Sequence, residues 1–193
     1  DNGEIIEMDF AQLEFRVAAF LSQDSQAMQD ILEGVDVHQN TANVIGCNRQ
    51  DAKAHTFKPL YGGMSGTDEE KKYYSYFRKR YKGITSWQET TEDTAIATSF
   101  VTLPSGRQYY FEGIKRASWG GSNFYTQVRN YPVQGFATGD IVPAACIDIY
   151  KQMKGMRTRL INTVHDSIII DAHPGEVDSV LKKLKKACDG ITQ

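Results

Sequence analysis

The 193-residue chain sets 22 Lys and Arg against 24 Asp and Glu, a formal net charge of −2, with 40% hydrophobic and 24% charged residues. That length can bury a sizeable core, as one domain or as one domain with an elaborate subdomain. The charge balance excludes an arginine-rich tail or a strongly basic domain, yet leaves room for a local basic cleft. Cys47, Cys146 and Cys188 have no metal-ligand spacing, and an odd count argues against a disulfide framework and for a reducing compartment. No apolar run approaches bilayer length and the acidic start is unlike a signal peptide, so the reading is cytoplasmic with no membrane partner. A chain without an initiator Met that enters a strand almost at once is expected to be part of something longer.

In chain order, Glu4 to Met8 reads as a short strand, Phe10 and Ala11 as its exit, and Gln12 to Leu21 as a helix with Leu13, Val17, Phe20 and Leu21 on its apolar side. Asp9 therefore stands at a strand end. Ser22 to Gly34 is polar. Asp36 to Val44 reads as the next short helix, with His38 at its start, where unsatisfied amides favour anions. That histidine is either a phosphate ligand or a polar surface residue. In RQDAKAHTFKPLYGGMSG, Arg49, Lys53, Phe57 and Tyr61 recur every four residues, placing two cations and two aromatics on one helical face. Two cations one turn apart with no acid between them repel unless an anion bridges them. Pro59 is expected to bend or end this helix around His55 to Lys58, and Gly62, Gly63 and Gly66 to release the chain into a turn. GxxxxGK followed by Ser or Thr is absent, so there is no P-loop.

Asp68 to Arg80 reads as a charged and aromatic helix ended by Gly83. Its Tyr73, Tyr74 and Phe77, with Tyr81 just beyond, are either base-stacking residues or core. Ile84 to Ala97 is a further helix, and SFVTLPSGRQYYF is a hairpin turning at Pro104, Ser105 and Gly106, followed by an exposed, basic Arg107. Asn123 to Tyr150 ends in a helix of small residues interrupted by Pro143, and carries the amides Asn130 and Gln134 at a spacing of four, suited to base or sugar edges. LINTVHDSIIID reads as a second hairpin, Leu160 to Val164 and Ser167 to Asp171, with Asp166 at or next to the bend. Val177 to Ala187 is a final amphipathic helix.

Asp166 is either an ordinary turn residue or one half of a pair with Asp9. Two carboxylates at neighbouring strand ends suit a divalent cation, because Mg²⁺ takes oxygen ligands, often one or two carboxylates completed by water and substrate phosphates.

The ordered set DFAQLEFR, DVHQNTA, RQDAKAHTFKPLYGG, TLPSGR, NYPVQG and VHDS resembles the palm and fingers of family A DNA polymerases, the family of bacterial polymerase I and many bacteriophage replicases. The resemblance runs from about Glu7 to Asp171, and FKPLYGG looks more like the phage branch. It implies an α+β fold with an antiparallel palm sheet backed by helices and a helical fingers subdomain. Residues 1–35 and 98–193 would form the palm and 36–97 the fingers, without thumb or exonuclease domains.

By the same resemblance, Asp9 and Asp166 match the metal-binding carboxylates, with the carbonyl of Phe10 completing one shell around two Mg²⁺. Gln12 and Glu14 fall on the nucleotide side, Glu14 beneath the incoming sugar. Arg49 and Lys53 match cations on the triphosphate, Lys53 also as a proton donor, and His38 matches a phosphate contact. Phe57 matches the aromatic at the sugar and Tyr61 the tyrosine near the templating position. Arg107, Asn130, Gln134 and His165 match primer-template contacts.

The implied activity is template-directed transfer of a deoxynucleotide to a primer 3′-hydroxyl, with primer-template DNA and deoxynucleoside triphosphates as partners and a thumb or N-terminal polymerase portion supplied from elsewhere. The setting would be the host cytoplasm for a phage-encoded chain. Departures are Ser167, where the family usually has Glu, Thr126, where many relatives carry Arg, and Lys58-Pro59 in place of a regular helix interior. A nucleic-acid-binding remnant without polymerase activity is the alternative. A metal-dependent phosphohydrolase using the same Asp pair would leave Arg49, Lys53 and Phe57 unexplained.

Overall fold

A computed structural model describes Gly3 to Ile191 as an α+β fold. The elements are β1 (Glu4–Asp9), α1 (Leu13–Ser22), α2 (Ser25–Leu32), α3 (Val37–Ile45), α4 (Arg49–Leu60), α5 (Asp68–Arg80), α6 (Lys82–Thr98), β2 (Phe100–Thr102), β3 (Gln108–Tyr110), α7 (Tyr125–Phe136), α8 (Val142–Gln152), β4 (Arg159–Val164), β5 (Ser167–Ala172) and α9 (Val177–Ile191). They fall into two compact units, one made of the residues up to Leu13 with those from Gln134 on, the other of Glu14 to Val133.

The first unit is built on an antiparallel sheet of order β1-β5-β4. β4 and β5 form the hairpin expected from LINTVHDSIIID, with His165 and Asp166 as its two-residue turn. β1 lies against the other side of β5, Met8 opposite Ile168 and Asp9 opposite Ser167. Strand alternation then separates two faces. Ile168, Ile170 and Ala172 are fully buried, and α8 packs on this strand and on α9. Glu7, Asp9 and Asp171 fall on the other, exposed face.

Two expectations need correction in this unit. Pro143 does not interrupt the helical run. A π-helical stretch, Ala137–Ile141, joins α7 to α8, the Val142 N–H bonding back to the Ala137 carbonyl. Pro143 then falls in the first turn of α8, directly after the π-helical stretch. The last helix also continues beyond Ala187, to Ile191.

The second unit is mainly helical. α3, α4 and α5 pack on one another, and α6 packs on α5 and on the β2–β3 hairpin. Tyr73, Tyr74, Phe77 and Tyr81 are all buried, so they are core and not a stacking platform. Their polar ends are satisfied inside: Tyr73 Oη meets Thr41 Oγ1 at 2.5 Å, and Thr41 Oγ1 meets Thr56 Oγ1 at 2.7 Å. Burial pushes the Tyr73 phenol up to about 12. A smaller cluster of Ala95, Val101, Phe111 and Val128 fills the space between α6, the hairpin and α7.

Here too the sequence misleads locally. Leu13 and Val17 are buried as expected, but Phe20, placed on the same apolar side of α1, is 51% exposed, and Phe15, Ala18 and Ala19 take the further inward positions. The polar stretch after α1 holds a further helix, α2, capped by Asp24. Gly83 does not end α5 but lies in the first turn of α6, where a Cβ would come within 2.9 Å of Asp24. That close approach is why glycine stands there. Pro59 does not end α4 near His55. The helix runs to Leu60, because a proline in the last turn removes only one ladder bond. Gln88 Nε2 then donates to the buried carbonyls of Pro59 and Leu60, at 3.2 and 2.6 Å.

Candidate functional site

The sheet brings Asp9 and Asp166 together from opposite ends of the sequence. Asp9 is the last residue of β1 and faces Ser167, the residue after Asp166. The Phe10 N–H donates to the Asp166 carbonyl at 3.2 Å and locks the strand exit to the hairpin turn. Asp9 is exposed, Asp166 half-buried and Phe10 buried.

Of four non-glycine residues with positive φ among the described residues, two flank this pair: Gln12 at 55° and His165 at 54°. Left-handed backbone at side-chain-bearing residues costs about 1 kcal/mol or more, and it persists where surrounding structure holds it. Here it turns the chain just before Asp166 and three residues after Asp9. Asp166 thus makes the turn, and its backbone lies next to the strand end that carries Asp9.

Ser167, expected to leave the site one carboxylate short, has a second use. Its hydroxyl lies 2.8 Å from Glu7 Oε1 and 3.1 Å from the Val164 carbonyl. Glu7 is two residues before Asp9 on the same strand, so a carboxylate from β1 sits on the Ser167 hydroxyl, on the face that carries Asp9. The sequence reading missed Glu7; the alternation Glu7, Asp9 in a half-exposed strand was the available signal. Among the described residues no three His, Cys, Asp or Glu side chains are grouped as a metal cage. Mg²⁺ needs only one or two carboxylates when water and phosphates fill the remaining positions, and exposed Asp9 at the strand end beside the Asp166 turn is compatible with that requirement.

The cationic stripe lies on α4, in the second unit. Arg49 and Lys53 are expected to repel unless an anion bridges them, and Arg49 has an acid from outside the stripe: its Nε donates to Asp36 Oδ2 at 2.7 Å. Asp51, its neighbour in sequence, is used instead at the helix start, where its N–H and carboxylate both bond Asn48. Half-buried Lys53 has no ion-pair or hydrogen-bond partner among the described residues and is the open cation of the stripe.

His38, in the first turn of α3, is 5% exposed, which removes the surface reading. Its ring meets Phe57 edge-on at 5.4 Å, and Phe57 stacks with Tyr61 at 6.2 Å. Burial pushes the His38 imidazole below its ordinary pKa, and its Nδ1 has no hydrogen-bond partner among the described residues. One row therefore presents an imidazole, two aromatic rings and two cations.

The far end of α4 is held by a buried network that the sequence did not reveal. Arg129 Nη2 pairs with Glu92 Oε2 at 2.7 Å, the side chains 4% and 6% exposed. The Arg129 guanidinium lies 3.5 Å from the centre of the Tyr125 ring, and the Tyr125 hydroxyl donates to the Gly62 carbonyl at 3.0 Å. Gly62 has φ 82°, and a Cβ there would lie 2.6 Å from Arg129 Cδ. Glycine is required on both counts.

The remaining expected residues are spread over both units. Glu14 is half-buried in α1, Arg107 is exposed beside the hairpin turn, and Asn130 is half-buried in α7 with an unbonded Oδ1. Gln134, near the end of α7, and His165 are exposed.

The family model for DNA polymerase family A matches residues 1–193. The chain belongs to this family. Among curated family A relatives, DNA polymerase I of Caldicellulosiruptor bescii is 27% identical over 94% of this chain and 24% of its own length. DNA polymerase I of Pseudomonas aeruginosa is 28% identical over 97% of this chain and 23% of its own. The chain thus spans about a quarter of the length of the curated relatives it matches. Among solved structures, the POL domain of Pol1 from M. smegmatis, in complex with DNA primer-template and dNTP, matches with a TM-score of 0.83 at 22% identity, over 97% of this chain and 37% of that one. That likeness is one of fold.

Proposed function

We propose that this chain is the palm and fingers part of a template-directed DNA polymerase that transfers a deoxynucleotide to a primer 3′-hydroxyl. In this reading residues 1–35 and 98–193 are palm and 36–97 fingers. The observation that carries it is the placing of Asp9, opposite Ser167 at the end of β1, next to the turn that holds Asp166, with Phe10 N–H bonded to the Asp166 carbonyl, in a chain that also presents Arg49, Lys53 and His38 along one aromatic row.

Asp9 and Asp166, with the Phe10 carbonyl, are the residues that would hold Mg²⁺. Two such ions, when bound, supply activation of the 3′-hydroxyl and charge compensation at the α-phosphate. Lys53 and Arg49 then neutralise the departing pyrophosphate, Lys53 as proton donor, and His38 contacts a phosphate. Gln12 and Glu14 bound the nucleotide, Glu14 under its sugar, with Phe57 on the sugar and Tyr61 at the templating position. Arg107, Asn130, Gln134 and His165 contact primer-template DNA. The phage-type assignment rests on FKPLYGG alone, while the relatives named above are bacterial. No described helix is long and apolar enough to cross a membrane, and we place the reaction in the cytoplasm, that of the host for a phage-encoded chain.

Primer extension by the chain with Mg²⁺ tests this. Nucleotide addition is expected, and it is expected to vanish in Asp166→Ala. Tight primer-template binding with no addition at any protein concentration points instead to a binding remnant derived from a polymerase.

A further inference from the structure

Asp36 precedes α3 and spends its two oxygens in different directions. Oδ1 accepts from the N–H groups of His38 and Gln39, both at 3.0 Å, and caps the helix that carries His38. Oδ2 accepts from Arg49 Nε at 2.7 Å, at the first residue of the helix that carries Lys53 and Phe57. One carboxylate therefore fixes the backbone beneath His38 and the side chain of Arg49 together.

The manner of the Arg49 contact matters. A guanidinium has five N–H donors in a rigid fork, and Asp36 engages the one at Nε. The terminal nitrogens of Arg49 have no protein partner among the described residues. Held from behind, the fork keeps the edge suited to two phosphate oxygens. His38 complements it from the same cap, since its buried ring carries an unbonded Nδ1.

We propose that Asp36 is a positioning residue for the triphosphate, orienting Arg49 through Nε and His38 through the α3 cap; this rests on the polymerase reading above. Asp36 touches no substrate atom and acts through the other two. Its negative charge is matched by Arg49 and by the amide end of α3, so it does not repel the phosphates it prepares for.

The test is binding of dATP, and separately of inorganic tripolyphosphate, to the full chain with Mg²⁺ by titration calorimetry. Wild type is compared with Asp36→Asn, Arg49→Ala and the double variant. Asparagine is as good a helix cap as aspartate, so Asp36→Asn keeps α3 while removing the charged bond to Arg49. Losing a charge-assisted hydrogen bond is expected to weaken both probes about tenfold. In the Arg49→Ala background the same change is expected to have less than about a twofold effect, because a positioning residue has nothing left to position. A purely structural role would weaken both backgrounds equally and overturn the proposal, as would tighter or unchanged binding in Asp36→Asn. If Arg49→Ala itself changes nothing, or wild type binds neither probe, the polymerase assignment of Arg49 fails, and this proposal with it.

Discussion

Glu92→Ala is expected to be among the most destabilising single changes in the second unit. Glu92 pairs with Arg129 at 2.7 Å and also accepts from the Ser122 N–H at 2.6 Å. With side chains only 4% and 6% exposed, neither partner of the pair can turn to solvent when the other is removed. Breaking a buried pair from one side costs about 3–5 kcal/mol, and leaving the Ser122 amide unpaired adds about 1 kcal/mol.

For a chain of this length each kcal/mol corresponds to roughly 2–4 °C, so a loss of about 5 kcal/mol lowers the melting temperature by roughly 10–20 °C. Trp87 and Trp119, the two tryptophans, both lie in this unit, so thermal unfolding followed by intrinsic fluorescence reads the right part of the molecule. Glu92→Met with Arg129→Met should recover most of the loss, since the cost lies in the orphaned charge. A shift below about 2 °C for both Glu92→Ala and Arg129→Met would refute the argument.

Glu176, whose carboxylate is drawn down to about 2 by the Arg157 and Thr158 N–H groups and the Thr158 hydroxyl, contributes stability that is full above its unfolded value near 4.5. That contribution is lost as pH falls through about 2, and Glu176→Gln should flatten the acid limb of an unfolding-versus-pH series. Glu7 stands two residues from Asp9 on β1, about 6.6 Å away, so Glu7→Gln removes roughly 1 kcal/mol of attraction for a divalent cation; Mn²⁺ titration by electron paramagnetic resonance should read a fivefold to tenfold weaker site, roughly. Phe57 has no hydroxyl to replace a missing 3′-hydroxyl, so Phe57→Tyr should relax rejection of dideoxynucleotides by roughly tenfold to a hundredfold in single-nucleotide incorporation on a fixed primer-template. An unchanged ratio would take Phe57 away from the sugar.

Much of the fold is local and was therefore readable. The β4–β5 hairpin follows from two apolar runs around a polar bend, α5 spans the expected Asp68 to Arg80 although Gly83 is not what ends it, and Asp9 falls at a strand end because the alternation of β1 stops there. The resemblance carried by six ordered motifs named the family that the full-length match establishes. The errors are equally physical. Periodicity places an apolar stripe on α1 but cannot know which flank is covered, so Phe20 was turned inward. In sequence Pro59 reads as a bend or end and Pro143 as an interruption, and only the packed structure reveals Gln88 serving the end of α4 and a π-turn leading into α8.

What the sequence alone determines, then, is which chemistry-bearing residues exist and on which kind of element each sits. Partnership between residues far apart in the chain belongs to tertiary structure. Nothing in the sequence around Arg49 announces Asp36 as its acid, nothing near Ser167 points to Glu7, and Arg129 and Glu92 look like two ordinary surface charges until α6 and α7 bury them against each other. The energy of such pairs depends on distance and desolvation, and both are set only when the chain has folded.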